Sequence, residues 1–243
     1  MYINTTGIVL RETPYKDSSK ILTVLTGDLG KLTVTARGAL RKNSKLAAAT
    51  QLLVFSEMTL LSSRDRWTLT EARSIEQFRG LQDDVAKLAL GSYFAELTEA
   101  AADEDSPNPE LMPLYLNALY ALSEGIKALS YVKPAFELRL MAASGFSPLV
   151  SHCPVCGRED PEHACLNLTG GIVYCADCAP DGGAELGRGA LDAMRYIISC
   201  DLKKLFSFSL GEVSLREITY AAEHYLLAQF DRRFRTLEFY KQL

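Results

Sequence analysis

Two cysteine pairs constrain this chain more than any other feature. Cys153-Pro154-Val155-Cys156 and Cys175-Ala176-Asp177-Cys178 are both C-x2-C knuckles, and 18 residues lie between Cys156 and Cys175. This spacing matches the C-x2-C-x15–20-C-x2-C pattern of a four-thiolate zinc site. Two residues between cysteines let both sulfurs of a tight turn face one ion, and the second turn completes a tetrahedron. Four protein ligands leave no open position for water or substrate, so the expected site holds one structural zinc and the function is to be sought elsewhere. Met1 to Thr6 do not read as a secretory leader. The thiols are therefore expected to stay reduced in the cytoplasm, where paired knuckles mean metal more often than disulfide. His152 and His163 lie close enough in sequence to stand in for a cysteine, whereas Cys165 and Cys200 lack a partner at ligand spacing and read as small buried hydrophobes.

The charge is unevenly spread. The net charge is -4, yet residues 1–80 hold 12 Lys and Arg against 7 Asp and Glu, and the remainder holds 14 against 23. A basic N-terminal third on an acidic remainder suggests modules with different partners. No run of about 18 apolar residues occurs, so no transmembrane helix and no membrane partner are expected.

The N-terminal third predicts strands at 3–10, 20–26, 31–36, about 52–61 and 67–72, from β-branched runs and alternation. Gly27-Asp28-Leu29-Gly30 supplies a hairpin turn, and Ser62-Ser63-Arg64-Asp65-Arg66 a second polar turn. Five short strands in about 70 residues suggest a small barrel, and the OB-fold matches best. Basic residues gather at the loops that flank an OB binding face. The first inter-strand loop is expected to carry Arg11, Tyr15, Lys16 and Lys20, and the last Arg64 and Arg66, with Trp67 alongside. Between the third and fourth strands, Arg37, Arg41, Lys42 and Lys45 fall within nine residues that contain no acid. Lys and Arg neutralise phosphates and release counterions, and Tyr15 is available to stack a base. Trp67 opens a strand and reads as a core anchor before a stacking platform.

From about residue 83 the period becomes helical, with helices expected near 83–97, 110–123, 132–143, 189–199 and 214–230. Pro134 near the start of the third and Gly145 just past its end follow the usual asymmetry of helix termini. Asp83-Asp84 and Glu104-Asp105 read as solvated charge. Leu166 to Tyr174 predicts a ribbon hairpin through Gly170-Gly171. Ser214-Leu215-Arg216-Glu217 predicts a capping box with Ser214 as N-cap. The expected fold is thus α+β and multidomain: an OB barrel over 1–80, a helical domain over 81–243, and a zinc ribbon inserted at 150–182. No P-loop, H-E-x-x-H, G-x-S-x-G or Rossmann fingerprint occurs, and nothing points to an enzyme.

The order of parts resembles the RecO family of bacterial recombination mediators. The resemblance is carried by Lys31-Leu32-Thr33-Val34-Thr35-Ala36-Arg37-Gly38-Ala39 and the basic residues behind it. Phe136 to Met141, Gly145-Phe146-Ser147-Pro148 and Cys153-Pro154-Val155-Cys156-Gly157 complete it. It implies a protein that binds single- and double-stranded DNA, with Lys31 joining the basic residues above as contacts, and that anneals complementary strands without ATP. It also implies two partners, RecR and the C-terminal tail of single-strand-binding protein, in loading recombinase. On the residues alone two other classes stay open: a protein-interaction adaptor whose barrel binds no DNA, and a zinc hydrolase.

Overall fold

A computed structural model describes residues 1–64 and 66–243; Asp65 of the expected second polar turn lies outside the described residues. Five strands close into a barrel: β1 (Tyr2–Tyr15), β2 (Ser19–Thr26), β3 (Gly30–Ala36), β4 (Phe55–Ser63) and β5 (Arg66–Glu76). Their order around the barrel is β1-β2-β3-β5-β4, with β4 returning to β1. This is the OB arrangement. All pairings are antiparallel except β3 with β5, which is parallel and extends over Val34↔Trp67, Thr35↔Thr68 and Ala36↔Leu69. The strands alternate as the sequence predicts: Leu32, Val34 and Ala36 point inward and meet Val9, Leu22, Val24, Met58, Leu60 and Leu69. Trp67 is half-buried against this cluster, as a core anchor should be.

Two expectations about the barrel change. β1 runs on to Tyr15, so Arg11 stands in a strand and not in a loop, and Lys20 stands in β2. The physical reason is the brevity of the turn: Tyr15 already pairs with Ser19, leaving Lys16 to Ser18 to reverse the chain, with Lys16 at φ 55°. The fourth strand starts at Phe55 and not at 52, because Leu53 adopts φ 65° and bonds back to Val9 through its N–H (3.0 Å).

Two compact units divide the chain, one of Met1–Ser123 with Phe234–Leu243 and one of Glu124–Arg233. In the first, the barrel is accompanied by α1 (Val85–Ala101), α2 (Leu111–Glu124, its last residue in the second unit) and α6 (Arg235–Tyr240). Asp84 is more than solvated charge: it caps α1, its carboxylate accepting from the N–H of Ala86 (2.8 Å) and Lys87 (3.3 Å). Helix α6 was not expected from the sequence. It is only six residues long, too short to show a period, and it is placed by packing: Phe234 meets Tyr93 edge-on at 6.1 Å, and Glu96 accepts from the Thr236 N–H.

In the second unit, α3 (Leu129–Ala143), α4 (Arg188–Ser199) and α5 (Glu212–Phe230) pack around a three-stranded sheet of order β7-β6-β8. Its strands are β6 (His163–Asn167), β7 (Ile172–Cys175) and β8 (Ala184–Gly187). The predicted hairpin forms, with Asn167 Oδ1 accepting from the Thr169 and Gly170 N–H groups. α3 ends in a Schellman arrangement, where the Phe146 N–H reaches the Met141 carbonyl (2.8 Å) and Gly145 takes φ 85°. It begins at Leu129, so Pro134 lies in its second turn and removes one helical hydrogen bond. The capping box does not form: α5 starts at Glu212 with Gly211 as N-cap, and Glu217 instead accepts from the Gly187 N–H at 3.0 Å. A half-buried partner at the end of β8 thus takes the carboxylate that local pattern assigned to the helix start.

Candidate nucleic-acid interface and metal centre

The barrel's turns bring basic side chains to one groove. After β3 the chain folds back over the β1–β2 turn: the Leu40 N–H donates to the Ser18 carbonyl (3.0 Å), and the Arg41 N–H donates to the Gly38 carbonyl (3.1 Å). Gly38 takes φ 70° there, with the Arg41 side chain lying over it. This fold-back sets Arg37 and Arg41 beside Tyr15 and Lys16. The parallel β3–β5 pairing sets Thr35 against Thr68 and so brings in Arg64 and Arg66 from the β4–β5 turn. The resulting groove has a volume of 790 Å³. Lys16, Arg37, Arg41, Arg64 and Arg66 line it, interleaved with serine, threonine and Tyr15. All five cations are exposed. Among the described residues no carboxylate lines the groove, and none pairs with these five. The ammonium of Lys16 lies 5.2 Å from the centre of the exposed Tyr15 ring.

The other basic residues named from the sequence stand elsewhere. Lys42 and Lys45 are exposed on the loop beyond Arg41, outside the groove lining. Arg11 pairs with Glu99 at 2.9 Å and donates to the Thr23 hydroxyl. Lys20 is largely buried against Glu12, and Lys31 donates to the Glu99 carbonyl at 2.9 Å. These three have partners within the protein. They stand within β1, β2 and β3, and no neighbouring residue in the sequence marks them off from the groove residues.

The metal centre is built at one end of the ribbon. In the first knuckle the Cys153 N–H donates to the Arg158 carbonyl (2.9 Å), and the Gly157 N–H donates to the Cys153 carbonyl (2.9 Å). Gly157 turns the chain at φ 74°, a conformation that favours glycine. In the second knuckle the Cys178 N–H donates to the Cys175 carbonyl (3.0 Å), and the Ala176 N–H ties the turn to His163. Arg195 of α4 holds the first knuckle's loop: its Nε donates to the Val150 carbonyl (2.9 Å), Nη1 pairs with Asp160 (2.8 Å), and Nη2 reaches the carbonyls of Ser151 and Glu159.

The sulfurs of Cys153, Cys156, Cys175 and Cys178 all lie within 4.8 Å of one another, with Cys156 and Cys175 at 3.6 Å. A tetrahedral zinc with bonds of about 2.3 Å separates its sulfurs by roughly 3.8 Å. The set therefore fits such an ion. The proton distribution points the same way. A backbone hydrogen bond from Cys175, with others from Cys156 and Val155, draws the Cys153 thiol down to about 6 against the effect of burial. Cys178 is pushed up to about 12, first by its hydrogen bond with Cys175 and then by burial and the other sulfurs. Sulfurs this close share protons until a cation replaces them. His152 is engaged with the Ser151 hydroxyl, and no histidine joins the cluster among the described residues. Cys165 is half-buried in β6, and Cys200 caps α4. Burial pushes both of these thiols up, as for inert packing residues.

Comparison with known proteins covers the whole of this architecture. Residues 1–78 match the family model described as Recombination protein O N terminal, and residues 82–238 match Recombination protein O C terminal. The DNA repair protein RecO of Acetivibrio thermocellus is 30% identical over 100% of this chain and 97% of its own. That of Symbiobacterium thermophilum is 32% identical over 97% and 95%. That of Listeria monocytogenes is 34% identical over 71% of this chain and 67% of its own. With the barrel, the ribbon and both family models in register, the chain belongs to the RecO family of DNA repair proteins.

Proposed function

We propose that this chain is a non-enzymatic DNA-binding mediator that holds single- and double-stranded DNA and anneals complementary strands. On this reading it works in the cytoplasm at the nucleoid and helps load recombinase, with RecR and the tail of single-strand-binding protein as partners. The observation that carries the reading is the groove: five exposed cations that no carboxylate among the described residues pairs, framed by hydroxyls and the exposed Tyr15. Such a surface neutralises phosphates and releases their counterions irrespective of base sequence. Annealing requires two polyanions to approach, and cations at the barrel surface lower that repulsion without a nucleotide-driven step. The hydroxyls of Ser18, Ser19, Thr35 and Thr68 add donors to phosphate oxygens, and Tyr15 offers one stacking face. The partner proteins enter through kinship with the family. One zinc ion at the cysteine quartet supplies a cross-link between the two knuckles and no reacting group.

The test is a titration of labelled single-stranded oligonucleotide over a salt series. The triple variant Arg37→Glu/Arg41→Glu/Arg64→Glu should bind more weakly to every sequence. Its slope of log affinity against log salt should be shallower by about 0.7 for each phosphate that is no longer neutralised. Arg73→Glu, which removes a cation paired with Glu57 away from the groove, should leave both unchanged. Equal affinity and slope for the triple variant and the wild type would overturn this placement. A wild type that fails to bind at low salt would favour the adaptor reading.

A further inference from the structure

We propose that Arg158 is a positioning residue of the metal centre, a strut that joins the two knuckles and offsets the charge of the thiolate set. The inference rests on the metal reading of the cysteine quartet given above. Arg158 touches both halves of the site. Its backbone carbonyl accepts from the N–H of Cys153, the first ligand of the first knuckle (2.9 Å). Its guanidinium Nη1 lies 2.8 Å from Oδ2 of Asp177, the residue between the two ligands of the second knuckle. Gly157, at φ 74°, makes the turn that presents the Arg158 carbonyl and side chain to these two places.

The electrostatic argument follows from ligand count. Four thiolates about a divalent cation carry a net charge of -2. Asp177 adds a carboxylate beside them, which by itself disfavours a further anion. A guanidinium on that carboxylate cancels the added charge. Outer groups of this kind orient ligands and typically change metal affinity by 10- to 100-fold. The Arg158 and Asp177 side chains are 52% and 72% exposed, so the pair contributes little to folding as an ordinary surface ion pair. That separates a metal effect from a fold effect.

The test uses the full chain, reduced and stripped of metal, titrated with Co²⁺ and followed by thiolate-to-cobalt absorption, then displaced with Zn²⁺. The wild type should bind one ion. Arg158→Ala should weaken binding roughly tenfold, the lower end of the range because the pair is exposed. Arg158→Lys should recover part of the loss. The metal-free Arg158→Ala protein should melt at the wild-type temperature. In an Asp177→Asn background, removing Arg158 should have a smaller effect, as expected of coupled groups. No cobalt absorption in the wild type would overturn the metal reading and this inference with it. Normal wild-type binding with unchanged affinity in Arg158→Ala would overturn the inference alone, as would a loss matched by melting of the metal-free variant. Should Arg158→Ala fail to fold, Arg158→Gln, which keeps much of the length of the side chain and removes its charge, carries the same test: weakened binding supports the inference, and unchanged affinity overturns it.

Discussion

Replacing Lys133 should weaken the helical unit more than any surface change in it. Lys133 of α3 is buried, with its ammonium 2.7 Å from Glu137 Oε1 and 2.9 Å from Glu223 Oε2 of α5. At those distances each attraction is about 6 kcal/mol for an effective dielectric near 20, against a desolvation penalty of several kcal/mol per ion. The intact triad is therefore near balance. Lys133→Met removes the cation that the two buried carboxylates share. Breaking a buried pair in this way costs about 3–5 kcal/mol. With a urea slope near 2 kcal/mol/M for a unit of this size, the midpoint should fall by about 1.5–2.5 M. Far-UV circular dichroism should report the shift, while Trp67 fluorescence follows the barrel separately. The pH dependence has a definite sign. Burial pulls the Lys133 ammonium down, and Glu137 and Glu223 more than offset it, so its folded-state pKa is raised. The stability it contributes is present below its unfolded value and lost as pH rises through the folded one, on the alkaline side. Replacing the triad with Met, Leu and Leu should recover at least half the loss. A midpoint shift below about 0.5 M for Lys133→Met would refute the reasoning.

Two further outcomes follow from features of the fold. Gly30 takes φ 73°, and a Cβ there would lie 2.5 Å from the Ser106 carbonyl oxygen; Gly30→Ala should therefore lower the barrel's melting temperature, by more than about 1 kcal/mol of stability, and an unchanged melt would contradict the strain. Metal bound at the quartet should be released on acidification, at a pH below the metal-free Cys153 value of about 6 because the cation competes with the proton for the sulfur, and chelator-accessible zinc that did not rise as the pH was lowered would contradict thiolate ligation.

The barrel and the metal ligands were legible because each rests on a local signal. Alternation marked Leu32, Val34 and Ala36, and the knuckle spacing marked the four cysteines. What escaped was decided by distant partners. Glu99 of α1, which meets Arg11 through its carboxylate and Lys31 through its carbonyl, lies more than 60 residues away from both in sequence. Glu217 left its predicted capping role for a backbone N–H thirty residues earlier. Helix α6 carries too few residues for a period and takes its place from Tyr93 and Glu96. Asp177 and Arg158 look like ordinary surface charge until the ribbon folds them together.

The parallel pairing of β3 with β5 closes the barrel through three residue pairs, against seven or more in each of its neighbours. It is the seam at which the cylinder is most easily unzipped. The basic groove lies across it, with Arg37 at the end of one strand and Arg66 at the start of the other. A polyanion gripped from both sides would act as a lace across that seam. The bound strand and the barrel would then hold each other shut, and the protein would be most firmly closed when it is carrying its cargo.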